Sequence, residues 1–170
     1  RDPILFNPLA HHMENLIRYH GLDDNHLRRV SNLAAALYDQ LQPLHQMGSS
    51  ARRLLLMAGL LHEIGQVISV ESLEKHTLYM LLNTPISGLT QRERVMAAFI
   101  AASYDEVYLP DLDDYMTRGP LLPGDEEIIT KLIPILQITH SLDRSHTGVV
   151  VQVLTELQEG SCEITVVSKS

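Results

Sequence analysis

The histidines that lie on or beside apolar helical stretches are the side chains of this sequence best suited to chemistry. They are His26, His62, His76 and His140. Glu63 follows His62 directly, and Gly65 allows the chain to turn there so that both polar side chains face a cleft. Imidazole and carboxylate groups suit a first-row divalent cation such as zinc, manganese or iron. A lone histidine on an apolar helix is more often bonded to a backbone carbonyl, so spacing alone shows only that these residues can converge.

The elements that carry these residues are predicted to be helices, and the predicted fold class is all-α. A helix follows the cap candidates Asp23 and Asp24 and carries His26. A second helix, over about 51 to 63, is apolar nearly all round, which is typical of a central buried helix. A third, over about 125 to 146, carries His140 and includes Pro134, which is expected to kink the helix or restart it. Convergence of these three helices would bring the imidazoles together, as in helix bundles that build metal sites.

The remaining segments complete the predicted fold. Short helices are predicted over about 8 to 20 and 71 to 83, and Thr90 and Glu93 form a capping box before another apolar run. The stretch 104–124 is rich in Asp, Pro and Gly and is predicted to be a long functional loop. Residues 162–167 alternate as in a strand without a partner, and residues 149–151 fit either strand or helix.

The composition limits the classes of protein to consider. The chain has 170 residues, a formal charge of −8 and one cysteine, Cys162. This charge disfavours a general nucleic-acid or anionic-membrane surface, and no apolar run is long enough to span a bilayer. A single cysteine excludes an internal disulfide and a cysteine-based metal cluster, and it favours a cytoplasmic setting. No glycine-rich phosphate loop is present.

A series of segments, in order and at compatible spacing, resembles a known family. They are residues 26–30 with 37–41, 58–65, 75–79 with 81–83, 88–94 and 141–146. Together they are similar to the HD-type C-terminal region of the exopolyphosphatase and guanosine pentaphosphate phosphatase (Ppx/GppA) family. The resemblance implies an HD-like helical bundle with a short C-terminal strand left from a truncated β appendage. Residues 1–3 resemble the family's junction with an N-terminal domain.

The resemblance also implies a domain division and a metal set. Residues 1–22 would be a leading helix from the junction, 23–148 the HD-like helical domain and 149–170 a partial appendage. His62 and Glu63 stand where the family has its His-Asp pair, His140 replaces a late Asp, and His26 is unchanged. The implied site is therefore an altered set holding one divalent cation, Zn, Mn, Fe or Mg.

Other family positions have also changed. Glu74 stands at a position where the family usually has histidine, and a His-Arg pair is replaced near Tyr104 and Asp105. An efficient two-metal hydrolase would need more carboxylate to balance two cations, so we do not expect one.

By resemblance, the chain is expected to be an accessory domain, inactive on its own, of an exopolyphosphatase-like enzyme. Phosphoanhydride hydrolysis would belong to N-terminal actin-like domains absent from this sequence. The accessory domain would support a homodimer and line a channel for polyphosphate or guanosine pentaphosphate. Basic side chains suit that role because they bind phosphate oxygens. The candidates are Arg28, Arg29, Lys75 and Arg144, with Arg52, Arg53, Arg92 and Arg94 as further members.

Two alternatives belong to other classes. The four metal-set residues would make the chain a degenerate metal-dependent HD phosphohydrolase acting on a nucleotide or phosphate ester. The acidic stretch 111–115 would instead dock a protein partner, although such loops are usually only solvated. The first alternative predicts bound metal.

Overall fold

The computed structural model describes residues 8–169, which form an α-helical bundle followed by a β-hairpin. The helices in this part of the chain are α1 (Pro8–Tyr19), α2 (Asp24–Gln40), α3 (Gln42–His45), α4 (Ser49–Leu61), α5 (Leu73–Asn83), α6 (Gln91–Ala102), α7 (Leu112–Thr117) and α8 (Asp125–Leu142). A 3-10 helix, Ile64–Val67, links α4 to α5. Strands β1 (Val150–Gln158) and β2 (Ser161–Ser168) pair antiparallel. The predicted all-α class with a short β element is confirmed.

The core lies among α2, α4, α6 and α8. The second half of α6, residues 95–102, is buried on every side, because small alanines alternate with large apolar side chains there. Thr90 caps α6 and forms the predicted capping box with Glu93. Gly59 of α4 lies against Ser31 of α2, where an added Cβ would meet the Ser31 Cα at 3.0 Å. This close approach brings the middle of α2 next to the C-terminal part of α4.

Three predictions about local structure are corrected. The predicted loop 104–124 contains α7, which ends in an i,i+4 ion pair between Asp114 and Arg118. The helix α8 continues through Pro134, so it does not restart there, and the alternative of a kink stays a prediction. The C-terminal strand has a partner, because residues 150–158 form β1 and pair with it. The stretch 149–151, which fitted either strand or helix, therefore leads into a strand, in keeping with its β-branched residues.

The hairpin is attached to the bundle by Gln40 at the end of α2. Its side-chain amide donates to the Val153 carbonyl at 2.9 Å and its oxygen accepts from the Thr155 N–H at 2.7 Å. The side chain of Val153 is completely buried against the helices. Among residues 8–169, no helix is long and apolar enough to cross a membrane. The proposed junction, residues 1–3, lies outside the described residues.

Candidate metal centre

The structure brings the four predicted metal-set residues together in the interior. His26 lies in the first turn of α2, His62 and Glu63 follow α4, and His140 lies in the last turn of α8. One ligand atom from each of the four lies within 4.8 Å of the others, and all four residues are buried. The fourth histidine of the sequence analysis, His76 on α5, is not part of this cluster.

His26 points an unsatisfied nitrogen into the cluster. Its Nδ1 lies 2.8 Å from the Asp143 Oδ2 and donates to it, which leaves the lone pair on Nε2. This Nε2 is buried and has no hydrogen-bond partner, and the Glu63 Oε1 lies 3.6 Å away. A buried polar atom without a hydrogen-bond partner lowers the free energy of unfolding by about 1–3 kcal/mol, so this lone pair is positioned at the expense of stability.

Asp143 is held in its ionised form although it is buried. Burial alone would raise the pKa of its carboxyl, but hydrogen bonds from His26, Arg29 and the Gly148 N–H outweigh it and hold the pKa below its ordinary value. The Arg29 Nε lies at 2.8 Å and the Gly148 nitrogen at 2.9 Å. A carboxylate that fixes the tautomer of a histidine in this way is typical of the outer shell of metal sites.

His62 and His140 present nitrogens to each other. The His62 Nδ1 donates to the Gly59 carbonyl at 2.8 Å, so its Nε2 carries the lone pair. That Nε2 lies 3.2 Å from the His140 Nδ1. Two nitrogens bound to one cation at about 2.0–2.1 Å are separated by about 2.9 Å in octahedral geometry and about 3.3 Å in tetrahedral geometry. The 3.2 Å between the two histidine nitrogens falls within that interval. Over all four residues the distances between ligand atoms extend up to 4.8 Å, so the side chains would have to move slightly closer together around a cation.

Glu63 and the turn that carries it are fixed by α5. The Thr77 hydroxyl donates to the His62 carbonyl at 3.0 Å and accepts from the Gly65 N–H at 3.2 Å. Gly65 is required here, because a Cβ would lie 2.5 Å from the Thr77 nitrogen. Burial raises the pKa of Glu63, although the neighbouring His26 and His146 oppose this. A bound cation would stabilise the ionised carboxylate of Glu63 and would therefore lower its pKa.

Two members of the site were not identified as site residues in the sequence analysis, namely Asp143 and His146. The His146 ring stacks on the His26 ring with centroids 3.6 Å apart, and its Nε2 lies 3.7 Å from the Glu63 Oε1. Both residues belong to the segment 141–146 that was matched to the family. An acid three residues after His140, at a helix end, was the available signal.

A cleft of about 220 Å³ opens next to the cluster. Tyr104 belongs to both, because its ring contacts His62 and His140 at centroid distances of 5.4 and 4.7 Å. Glu74 and Asp105 line the cleft with it. The carboxylates of Glu74, Asp105 and Glu106 make the wall of this cleft acidic.

The candidate phosphate-binding residues are separate from the cluster's ligand atoms and mostly engaged with carboxylates. Arg28 pairs with Asp24 at 2.8 Å, Arg144 pairs with Asp105 at 2.6 Å, and Arg29 is bound to Asp143. Lys75 is exposed on α5 and has no ion-pair partner within residues 8–169. The further candidates Arg52, Arg53 and Arg92 also pair with carboxylates, namely those of Asp39, Glu93 and Asp125.

Acid is expected to destabilise the metal-free protein through His62 and His140. Burial, helped by the neighbouring imidazoles, lowers the pKa of His62 to about 3 and that of His140 to about 4. In the unfolded chain both pKa values are about 6.5, so between these limits the unfolded state binds more protons. The free energy of unfolding should therefore fall as the pH decreases below about 6.5, by about 2 kcal/mol per histidine at pH 5 relative to pH 8.

Urea unfolding of chelator-treated protein at both pH values measures this difference. His62→Gln should remove about half of it, because one titrating group is lost. His76→Gln, outside the cluster, should leave it unchanged. Equal free energies of unfolding at pH 5 and pH 8 would contradict the expectation.

Comparison with known proteins gives a family match over most of the chain. Residues 10–169 match the family described as Ppx/GppA phosphatase, domain III. A guanosine-5'-triphosphate,3'-diphosphate pyrophosphatase of Aeromonas hydrophila subsp. hydrophila is 29% identical over 158 residues, which are 91% of this chain and 31% of the relative. A protein of the same name from Aeromonas salmonicida is 31% identical over 102 residues, 59% of this chain and 21% of the relative. The chain thus spans less than a third of the length of these relatives.

Proposed function

Because the chain belongs to the Ppx/GppA phosphatase domain III family, we propose that it acts as an accessory domain of a phosphatase whose phosphoanhydride hydrolysis resides in other domains. The match over residues 10–169 carries this proposal. The 31% share of a relative named as a pyrophosphatase supports it, since most of that relative lies outside the matched region. Residues 23–148 would form the accessory helical unit, and residues 149–170 would be a partial appendage.

Within this role, the domain would support a homodimer and offer basic side chains to a phosphate polymer or guanosine pentaphosphate. Lys75 is exposed and unpaired within residues 8–169, and Arg144 is two-thirds exposed, with an ion pair that a phosphate can replace. Exposed ion pairs contribute only about 0–1 kcal/mol, so exchanging Asp105 for phosphate costs little. Arg28 and Arg29 would add further contacts at the start of α2.

Binding of inorganic polyphosphate to the chain is expected at low salt and should weaken as salt increases. If inorganic polyphosphate behaves as single-stranded nucleic acids do, two phosphate contacts would give about a sevenfold loss of affinity between 50 and 200 mM salt. The double variant Lys75→Ala, Arg144→Ala should lower the affinity at low salt and flatten the salt dependence. Fluorescence anisotropy with labelled polyphosphate measures both quantities.

The matched control is Lys131→Ala, which removes an exposed lysine paired with Glu127 on α8. It changes the net charge by one unit without touching the candidate surface. Absence of binding in low salt would contradict the polymer-binding role. The double variant removes two charges, so a loss of binding free energy in the control half as large as in the double variant would show general charge attraction instead of a site. Sedimentation of the same samples tests the homodimer.

A second candidate function, a metal-dependent phosphohydrolase, is favoured by the unsatisfied Nε2 of His26 inside a cluster of four ligands. A bound divalent cation would supply Lewis acidity toward a phosphate and activate a water. His26, His62, Glu63 and His140 would hold it, and Asp143 would orient His26.

Elemental analysis together with hydrolysis of a generic phosphate ester tests the second candidate. Stoichiometric metal that is lost in His62→Ala, with metal-dependent hydrolysis, would support it. Well-folded, metal-free protein that takes up no added cation would count against it and leave the accessory role intact.

A further inference from the structure

The outer edge of strand β2 is the open edge of the hairpin. Gln40 bonds the Val153 carbonyl and the Thr155 N–H, so these groups point away from β2. Across the ladder the two residues face Val166 and Ile164. Because directly opposed residues in an antiparallel pair either bond each other or both point outward, Val166 and Ile164 also turn their N–H and C=O groups outward. In the part of the chain that the structure describes, the sheet has only two strands, so this edge has no partner strand.

Strand β2 lacks the features that usually keep an exposed edge unpaired. Natural edge strands are protected by shortness, bulges, proline or several charged side chains. The 8 residues of β2 include no proline and only one charged residue, Glu163, and the irregularity of the ladder lies on β1, between Val150 and Gln152. Val166 shares the helix-facing side of the sheet with the buried Val153, but it is 41% exposed. The edge therefore offers free backbone groups and an uncovered apolar side chain to another strand.

Two unpaired charges lie along this edge. Lys169 continues the pairing beyond the end of β2, because its N–H donates to the Val149 carbonyl at 2.8 Å. Side chains alternate between the two faces of a strand, so Glu163 and Lys169 both lie on the face opposite Val166. Neither of the two has an ion-pair partner among residues 8–169. A strand that pairs here can therefore be recognised by matching charges.

A second β2 strand provides that match. Two copies of β2 can pair antiparallel about a two-fold axis at Val166, and Glu163 of each copy then lies directly opposite Lys169 of the other. No other symmetric register brings these two charges together. In the same register Ile164 bonds Ser168 of the other copy and Val166 bonds its own counterpart. All three of these residues have outward backbone groups, so the pairing uses what the free edge offers.

We propose that the outer edge of β2 is the contact of a homodimer, in which two hairpins join into one four-stranded antiparallel sheet. The inference rests on the homodimer of the proposed function and names its contact surface. The same edge meets itself, so the contact is isologous and closes at two copies. About seven residues from each copy take part, whereas a standard interface uses about 20–30, so we expect a weak dimer with a micromolar dissociation constant.

Sedimentation velocity of the chain over a range of concentrations measures this dissociation constant. Glu163→Lys sets like charges opposite each other in two symmetric places and should weaken the dimer by about 5- to 30-fold. The double variant Glu163→Lys, Lys169→Glu restores opposite charges in both places and should dimerise as the unmodified chain does. The matched control is Glu159→Lys, which makes the same change of net charge in the turn, outside the paired segment.

Hydrogen exchange of the backbone amides identifies what covers the edge. The N–H groups of Ile164, Val166 and Ser168 point outward, so their exchange should slow as the protein concentration rises. Thr165 and Val167 point toward β1 and should show little dependence on concentration. Protected outward amides in a chain that sediments as a monomer would show that another segment of the same chain covers the edge, which would overturn the proposal.

The remaining outcomes separate the contact from the homodimer itself. A monomer at every concentration, with freely exchanging outward amides, would overturn both this contact and the homodimer of the proposed function. A dimer equally strong in Glu163→Lys and in the control would overturn the β2 contact alone. A dimer that Glu163→Lys weakens and the double variant does not restore would contradict the proposed register and would also overturn the proposal. Circular dichroism of each variant confirms that it is folded.

Discussion

Replacing His26 with asparagine is expected to weaken divalent-cation binding by more than about 100-fold while the protein stays folded. Loss of an outer-shell partner typically costs 10- to 100-fold in metal affinity, and in the candidate centre His26 would supply a ligand atom directly. Asparagine can place its amide nitrogen near the position of Nδ1 and keep the hydrogen bond to Asp143, which is 2.8 Å long in the structure. The change therefore removes the unpartnered Nε2, together with the ring contact to His146, while the buried partner of Asp143 is kept.

Isothermal titration with zinc or cobalt, together with thermal unfolding, measures the two effects separately. His26→Ala should lose the cation as well, but it should also unfold at a lower temperature, because Asp143 then loses a buried partner. His76→Asn is the control for the substitution itself. Retention of full affinity in His26→Asn would contradict the candidate metal centre.

Replacing Gly65 with alanine is expected to destabilise the fold by about 3 kcal/mol or more. The added Cβ would lie 2.5 Å from the Thr77 nitrogen and 2.8 Å from the Leu73 carbonyl oxygen, both backbone atoms that cannot move aside singly. Overpacking of this kind typically costs 1–3 kcal/mol, and backbone neighbours place it at the upper end or beyond. For a chain of this length the melting temperature should fall by about 6–12 °C.

Gly65→Ala should also disturb the candidate metal centre, because His62 and Glu63 lie on the turn that the added Cβ would displace. We expect weaker cobalt binding in Gly65→Ala at temperatures where the variant is still folded. Gly48→Ser is the matched control, since nothing lies within 4 Å of a Cβ there and serine is a good N-cap for α4. A melting temperature of Gly65→Ala within 2 °C of the control would contradict the steric argument.

The helices were predictable because their signals are local. Thr90 and Glu93 predicted the start of α6, and Asp23 predicted the start of α2. The structure confirms both, because the side chains of Thr90 and Asp23 cap these helices. The periodicity of apolar residues placed His26 and His140 on inward faces, so their convergence followed from packing three helices. A hairpin partner for residues 162–167 was missed although a local signal was present, because Gly160 lies in a two-residue turn between the paired residues 158 and 161.

The completion of the site was less predictable, for a physical reason. Asp143 and His146 follow α8, where backbone direction depends on a left-handed residue and on hydrogen bonds from Arg29, more than 110 positions away in the chain. Such contacts leave no period in the sequence. The same holds for most of the ion pairs of the arginines proposed for phosphate. Arg28 and Asp24 are only four positions apart, but the other carboxylate partners lie 13 to 114 positions away.

The side chain of Gln40 has a consequence for how the hairpin can grow. By bonding the Val153 carbonyl and the Thr155 N–H, it occupies the positions on the free edge of β1 where another strand would hydrogen-bond. The Gln40 amide therefore prevents a further strand from pairing with β1 at these two residues. Within residues 8–169 the outer edge of β2 has no such cover, so any sheet built onto this hairpin has to extend in one direction only, away from the helices.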